Sequence, residues 1–226
     1  MNCLSCDVEI IPEVTWKNVF ILDRPNLLCK DCESSLEKIS GNRCKRCSRP
    51  SKGNVCSDCQ WWEKQMDRDS LDFNYSTFKY NTRMQEMIAK WKYRGDYYLG
   101  EAFRFSFLAS FYERFSFLKK EAIVVPIPLS EERQLERCFN QAEMLAGFLP
   151  IKMKNALSRV HGEKQSKKSR RERICTENPF FLTQTLNKPV ILVDDIYTTG
   201  TTLRHAAQLL KDSGTPSVYS MTLVRG

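Results

Sequence analysis

No stretch of 18 consecutive apolar residues occurs in the 226-residue sequence, which excludes a membrane-spanning helix. The opening residues, MNCLSCDVEI, have neither a basic leader nor an apolar core. No secretory signal is read there, and a cytoplasmic location is expected. The lysine of a GxxxxGK[ST] phosphate loop is missing too, which tells against that class of nucleotide site. Large apolar side chains are few in the first 60 residues, so this part cannot bury much of a core alone. Apart from these absences the composition is ordinary for a soluble globular protein, 42% hydrophobic and 27% charged. The length suits one α/β domain plus a small module.

Positive charge is in excess, +8 overall, with a pI of about 9.0. It concentrates in the middle of the chain, where basic side chains outnumber acidic ones by 11 to 8 in residues 61–120 and again in 121–180. Lys164, Lys167, Lys168, Arg170, Arg171 and Arg173 stand together against Glu172 alone. Such a cluster reads as a site for phosphate, pyrophosphate or a nucleic-acid backbone; the plainer alternative is a solvated basic loop.

Eight of the ten cysteines form four CxxC pairs in residues 1–60: Cys3/Cys6, Cys29/Cys32, Cys44/Cys47 and Cys56/Cys59. Two thiolates on one tight turn can face one ion, and two such turns complete a tetrahedral four-cysteine zinc site. Four turns predict two structural Zn2+ ions in a tandem ribbon, whose folding energy the metal supplies. Disulfides require an oxidising compartment, a redox CxxC is rarely needed four times, and iron–sulfur ligation suits these even spacings less well. Sequential pairing is preferred over the other two partitions because the shorter loops lose less entropy on closure. Lys45, Arg46 and Arg49 flank one knuckle and offer a possible nucleic-acid contact. Cys138 and Cys175 stand alone and read as incidental thiols.

Residues 61–72 are polar, without periodicity beyond Trp61-Trp62, and read as a linker. The domain beyond spans 73–226. Phe73–Tyr80 alternates as a strand, and Met84, Met87, Ile88 and Trp91 share one face of a helix ending near Gly95. A second helix, about Leu99–Phe117, carries Phe103, Phe107 and Phe111 as core. Ala122–Val125 is a buried strand, and Glu131–Phe148 is expected to be one helix with Leu135, Ala142, Leu145 and Ala146 inward. Val190–Val193, a helix from about Thr202 to Asp212, and a strand over Ser217–Val224 complete an α/β alternation, which implies a parallel sheet.

The segment VILVDDIYTTGTT, Val190–Thr202, carries the chemistry. Ligands of open parallel sheets sit at the carboxyl ends of strands. Asp194 and Asp195 stand there, placed to accept hydrogen bonds from vicinal ribose hydroxyls or to hold Mg2+. Gly200 lets backbone approach a phosphate, the hydroxyls of Thr198, Thr199, Thr201 and Thr202 add donors, and a helix N-terminus follows.

This segment resembles the signature of type I phosphoribosyltransferases. In that family the paired acids contact the ribose of phosphoribosyl pyrophosphate and the hydroxyl-rich loop holds its 5-phosphate. The resemblance gives the first role to Asp194 and Asp195 and the second to Thr198–Thr202. Tyr197 stands where small aliphatic residues are commoner. With the four CxxC turns, Trp91–Asp96, Val125–Leu129, Arg137–Gln141 and the basic run to Arg173, nearly the whole chain resembles the ComF (ComFC/GntX-like) family. Cys138 replaces the glycine usual in an RGFNQ motif. The resemblance implies a type I phosphoribosyltransferase-like α/β fold, a parallel sheet with helices on both faces, preceded by the zinc ribbon. It also implies binding of phosphoribosyl pyrophosphate with Mg2+. Lys164, Arg170, Arg171 and Arg173 fall where type I enzymes carry a loop that closes over the pyrophosphate.

Two functions follow from the resemblance. One is a role in natural competence, handling incoming single-stranded DNA beside a ComFA-type helicase or translocase. The other is an active phosphoribosyltransferase of nucleotide metabolism or salvage, displacing pyrophosphate at the anomeric carbon. Fold alone does not separate them. A base-reading hood must come from residues 73–120, where no such constellation is evident. Exposed aromatics, with Trp61, Trp62 and Trp91 as candidates, could stack on DNA bases.

Overall fold

The computed structural model describes residues 1–11, 26–65, 69–159 and 178–226. The cysteine-rich part is built twice on one plan. In each half a knuckle turns through a left-handed residue, Asp7 (φ 64°) or Ser48 (φ 62°), whose N–H returns to the first cysteine's carbonyl. Each half then meets a short helix whose first turn carries the other CxxC: α1 (Lys30–Ser34) and α2 (Ser57–Gln65). Helix α2 runs into the residues read as a linker, because Trp62 has a buried place to go, 5% exposed.

Four strands, β1 (Asn74–Lys79), β2 (Ile123–Pro126), β5 (Val190–Tyr197) and β6 (Val218–Arg225), form a parallel sheet in the order β1-β6-β5-β2. Asn74 lies beside Ser220, Val190 beside Val218, and Ile123 beside Val190. The expected α/β alternation is present. Both edges of the sheet are covered, which removes unpaired strand edges. Ile39 and Glu37 exchange backbone hydrogen bonds with Thr77 and Lys79 on β1, and Lys152 and Lys154 do so with Val124 on β2. A short antiparallel pair, β3 (Leu157–Arg159) and β4 (Phe180–Leu182), was not foreseen; three-residue strands are too short to show periodicity.

The sheet is apolar on both faces, as parallel sheets are. One face packs on α3 (Thr82–Tyr93), α4 (Arg104–Phe115) and α6 (Gln141–Gly147) through Met84, Trp91, Phe103, Phe107, Phe111, Phe115 and Leu145. The phenylalanine stripe is therefore core, and Trp91 is fully buried. The other face packs on α7 (Thr201–Asp212) through Leu203, Ala206, Ala207 and Leu210, in one cluster with Cys44, Cys47, Cys56 and Cys59.

The single helix expected over Glu131–Phe148 is two. Helix α5 (Glu131–Arg137) ends at Cys138, which adopts the left-handed conformation (φ 63°, ψ −12°). Asn140 then restarts the chain as the N-cap of α6, accepting from the Ala142 amide at 3.0 Å. The break turns Leu135 outward to 81% exposure, against the expectation that it faces inward.

Candidate functional site

The carboxylates emerge where β5 leaves the core. Residues Val190–Val193 are fully buried, so the strand direction is fixed and Asp194 and Asp195 are delivered to its carboxyl end. Asp195 is buried and forms an ion pair with Lys92, both side chains being little exposed, 13% and 12%. Asp194 accepts a hydrogen bond from the Asp195 amide at 2.8 Å. Burial pushes the Asp194 carboxyl up to about 7, the Asp195 charge adds to the rise, and Lys92 and Arg159 oppose it.

Lys92 sits where a positive charge suits a helix C-terminus. It is in the last turn of α3, but its partner is Asp195. The sequence held a signal, since Lys92 lies inside the Trp91–Asp96 segment that carried part of the resemblance. Arg137 belongs to the Arg137–Gln141 segment of the same resemblance. It is buried, 7% exposed, donates to Gln141 Oε1 at 3.1 Å and lies 5.4 Å from the Tyr93 ring centre. Arg137 Nε and Gln141 Nε2 are buried donors with no partner among the described residues. Their loop is tied to the same strand ends: Asn140 Nδ2 donates to the Ile127 carbonyl at 3.0 Å, and the Ile127 amide donates to the Val193 carbonyl at 2.9 Å.

The threonine loop follows β5 directly. Gly200 has φ +81°, and a Cβ there would collide with the Tyr197 hydroxyl and the Arg204 guanidinium. Glycine is therefore required for both backbone and space. Tyr197 is nearly fully buried because its hydroxyl accepts a hydrogen bond from Arg204 at 2.7 Å beneath the loop. This accounts for an aromatic where small residues are usual. Burial pushes its phenol up, so it stays neutral. The hydroxyls of Thr199 and Thr201 are 2.9 Å apart, and α7 starts with no side-chain cap. The structure thus brings Asp194, Asp195 and Thr198–Thr202 to one strand end. Lys164, Arg170, Arg171, Arg173 and Cys175 lie outside the described residues.

The eight paired cysteines form two groups, Cys3/Cys6/Cys29/Cys32 and Cys44/Cys47/Cys56/Cys59, with ligand atoms in each within 4.8 Å of one another. Cys6–Cys29 and Cys47–Cys56 sulfur distances are both 3.6 Å. Tetrahedral ligation with Zn–S of about 2.3 Å places sulfurs about 3.8 Å apart, so both groups could hold a metal ion. The sequential pairing is the one the fold adopts. Trp62 is not available for stacking, whereas Trp61 is 39% exposed. Arg46 pairs with Glu63 at 3.4 Å and Arg49 with Asp58 at 2.8 Å. Among the described residues, no helix is long and apolar enough to cross a membrane.

The phosphoribosyl transferase domain family matches residues 142–226. The chain is 41% identical to competence protein ComFC of Bacillus subtilis, over 99% of this chain and 94% of that one. It is 34% identical to competence protein ComFC of Streptococcus pneumoniae, over the full length of both. Among solved structures it is similar to a hypoxanthine phosphoribosyltransferase from Staphylococcus aureus, at 19% identity, a TM-score of 0.34, and coverage of 56% of this chain and 64% of that one.

Proposed function

Because the chain belongs to the ComFC family of competence proteins and carries a phosphoribosyltransferase-like domain, we propose that its site binds phosphoribosyl pyrophosphate with Mg2+ in support of DNA uptake. The observation that carries this reading is the pair Asp194–Asp195, half-buried and buried, at the end of the apolar strand β5, just before Thr198–Thr202 and a helix N-terminus. Two carboxylates at a buried strand end are costly without cationic or hydrogen-bonding partners. Ribose hydroxyls donating to them offset that cost. Lys92 holds the Asp195 side of the pair, and the Thr198–Thr202 loop receives the 5-phosphate. Mg2+, when bound, would neutralise pyrophosphate charge beside Asp194.

In this reading the four-cysteine groups hold structural Zn2+, two per chain, which metal analysis checks. The basic run with Lys164, Arg170, Arg171 and Arg173 meets pyrophosphate or the backbone of single-stranded DNA. A ComFA-type translocase is the partner that would pass that DNA on. Calorimetry with phosphoribosyl pyrophosphate and Mg2+ tests the central claim. Heat of binding is expected for the wild type and is lost in an Asp194→Ala/Asp195→Ala variant that keeps its fold by circular dichroism. Equal heats in both proteins, or none in the wild type, would overturn it.

One observation favours turnover as a second reading. Arg137 Nε and Gln141 Nε2 are buried donors without partners, on a loop anchored beside β5. Donors held this way suit an anion that arrives and leaves, such as pyrophosphate. Pyrophosphate release in the presence of an acceptor base, lost in Arg137→Lys, is the result expected of an enzyme.

A further inference from the structure

The threonine loop is held from beneath by three consecutive carbonyls. Arg225 Nη1 donates to the Tyr197 carbonyl at 3.1 Å and the Thr198 carbonyl at 3.0 Å, and also to the Gly226 carbonyl. Trp62 Nε1 donates to the Thr199 carbonyl at 3.0 Å. Both donors lead back to the second four-cysteine group. Arg225 Nε donates to the Cys47 carbonyl at 3.1 Å, and its Nη2 lies 3.6 Å from Cys47 Sγ. Trp62 is three residues beyond Cys59 on α2, and its ring lies 4.6 Å from the Arg204 guanidinium. Arg204 in turn pairs with Asp69 at 3.0 Å and is 1% exposed there.

The consequence lies in peptide geometry. Across a trans peptide, the carbonyl of one residue and the N–H of the next point in opposite directions. Pinning the carbonyls of 197, 198 and 199 toward the ribbon therefore turns the amides of Thr198, Thr199 and Gly200 away from it. None of these three amides donates to a partner among the described residues. Successive free amides on one side of a turn make an anion cradle. Cys6 of the first group is exposed, whereas all four cysteines of the second are buried beneath this loop's supports.

We propose that the Cys44/Cys47/Cys56/Cys59 centre sets the anion-binding conformation of the 198–200 loop, with Arg225 and Trp62 as the positioning residues that transmit it. The inference rests on the sugar-phosphate reading only for the identity of the anion. Metal at this centre fixes the Cys47 carbonyl and α2; without it, both struts lose their footing and the cradle's amides are no longer aligned. The first centre has no such link among the described residues.

The test uses the full chain and reads the loop directly. Hydrogen–deuterium exchange is measured on Thr198–Gly200 and on Val190–Val193, beside metal content and titration with ribose 5-phosphate. Arg225→Gln is expected to keep two zinc ions and strand protection while loop exchange accelerates about tenfold or more. Arg225→Lys, which reaches fewer acceptors, falls between. Trp62→Phe removes one donor and keeps the ring, so a smaller, about threefold acceleration is expected, and this variant decides the matter if Arg225→Gln does not fold. Cys56→Ser should accelerate the loop, whereas Cys6→Ser should leave it as in wild type. Unchanged loop exchange in Arg225→Gln or Trp62→Phe with strand protection retained overturns the proposal, as does equal acceleration by Cys6→Ser. A loop that loosens as expected in a protein that never binds ribose 5-phosphate keeps the link and refutes the sugar-phosphate reading instead.

Discussion

Asp194 is the residue on which electrostatics and function meet. Its carboxyl is raised to about 7, first by burial and then by the Asp195 charge. The folded protein therefore binds this proton more tightly than the unfolded chain does. The contribution to stability is fully present below the unfolded pKa, near 4, and is lost as pH rises through about 7. A divalent cation or a hydroxyl donor needs the ionised carboxylate, so ligand binding moves the opposite way. Affinity for Mg2+–phosphoribosyl pyrophosphate is expected to rise from pH 6 to pH 8, with proton release on binding near pH 7. Asp194→Asn should abolish the proton release, which calorimetry in buffers of different ionisation enthalpy measures directly. A wild-type affinity independent of pH would show that Asp194 does not titrate in the site. The carboxylate pair was legible from sequence because chance seldom places two acids at the end of four buried aliphatics. Lys92 was not legible as its partner, since nothing local distinguishes a lysine that caps a helix from one that reaches across a sheet.

At the scale of elements, the strands and the long helices were readable because period and burial agree along them. The stretch 131–148 was not. Its apolar spacing continues through the break, and the usual stop signal, a glycine in the left-handed region, is a cysteine here. Cys138 takes φ 63° all the same. A left-handed turn thus forms here without a glycine, at a cost of about 1–2 kcal/mol for a side chain in that conformation. The exposed thiol gains little in return; its one hydrogen bond among the described residues is a long one, 3.8 Å to the Leu135 carbonyl. Cys138→Gly is expected to stabilise the protein by about 1 kcal/mol, the higher backbone entropy of glycine in the unfolded chain offsetting part of the relief. Urea unfolding gives the sign. A destabilised variant would mean that the Cys138 side chain, not its backbone, holds the start of α6.

In the proposed function the whole molecule joins a sugar-phosphate site, a cysteine-rich support and a basic run of sequence in one chain, and a DNA role depends on the last of these. The described residues already leave Tyr93, Tyr97, Tyr98 and Phe105 more than half exposed, with Arg94 beside Tyr93 and Arg104 held by Glu101. Aromatic rings interleaved with cations suit a single strand, on which bases stack while phosphates are neutralised. The ribbon offers less, because Arg46 and Arg49 are already paired with acids. In the proposed function the charge for DNA then comes from the run Lys164–Arg173, which composition revealed at once but whose placement no sequence pattern could give. Each phosphate contact on a single strand contributes about −0.7 to the slope of log affinity against log salt. Replacing Arg170, Arg171 and Arg173 together by glutamine should therefore flatten that slope by about 2 for oligothymidylate. Replacing Tyr93, Tyr97 and Tyr98 by alanine should instead lower affinity at every salt concentration and leave the slope alone, since stacking releases no counterions. If the arginine variant keeps the wild-type slope, the basic run does not touch DNA, and its charge belongs to the pyrophosphate side of the Asp194–Asp195 site.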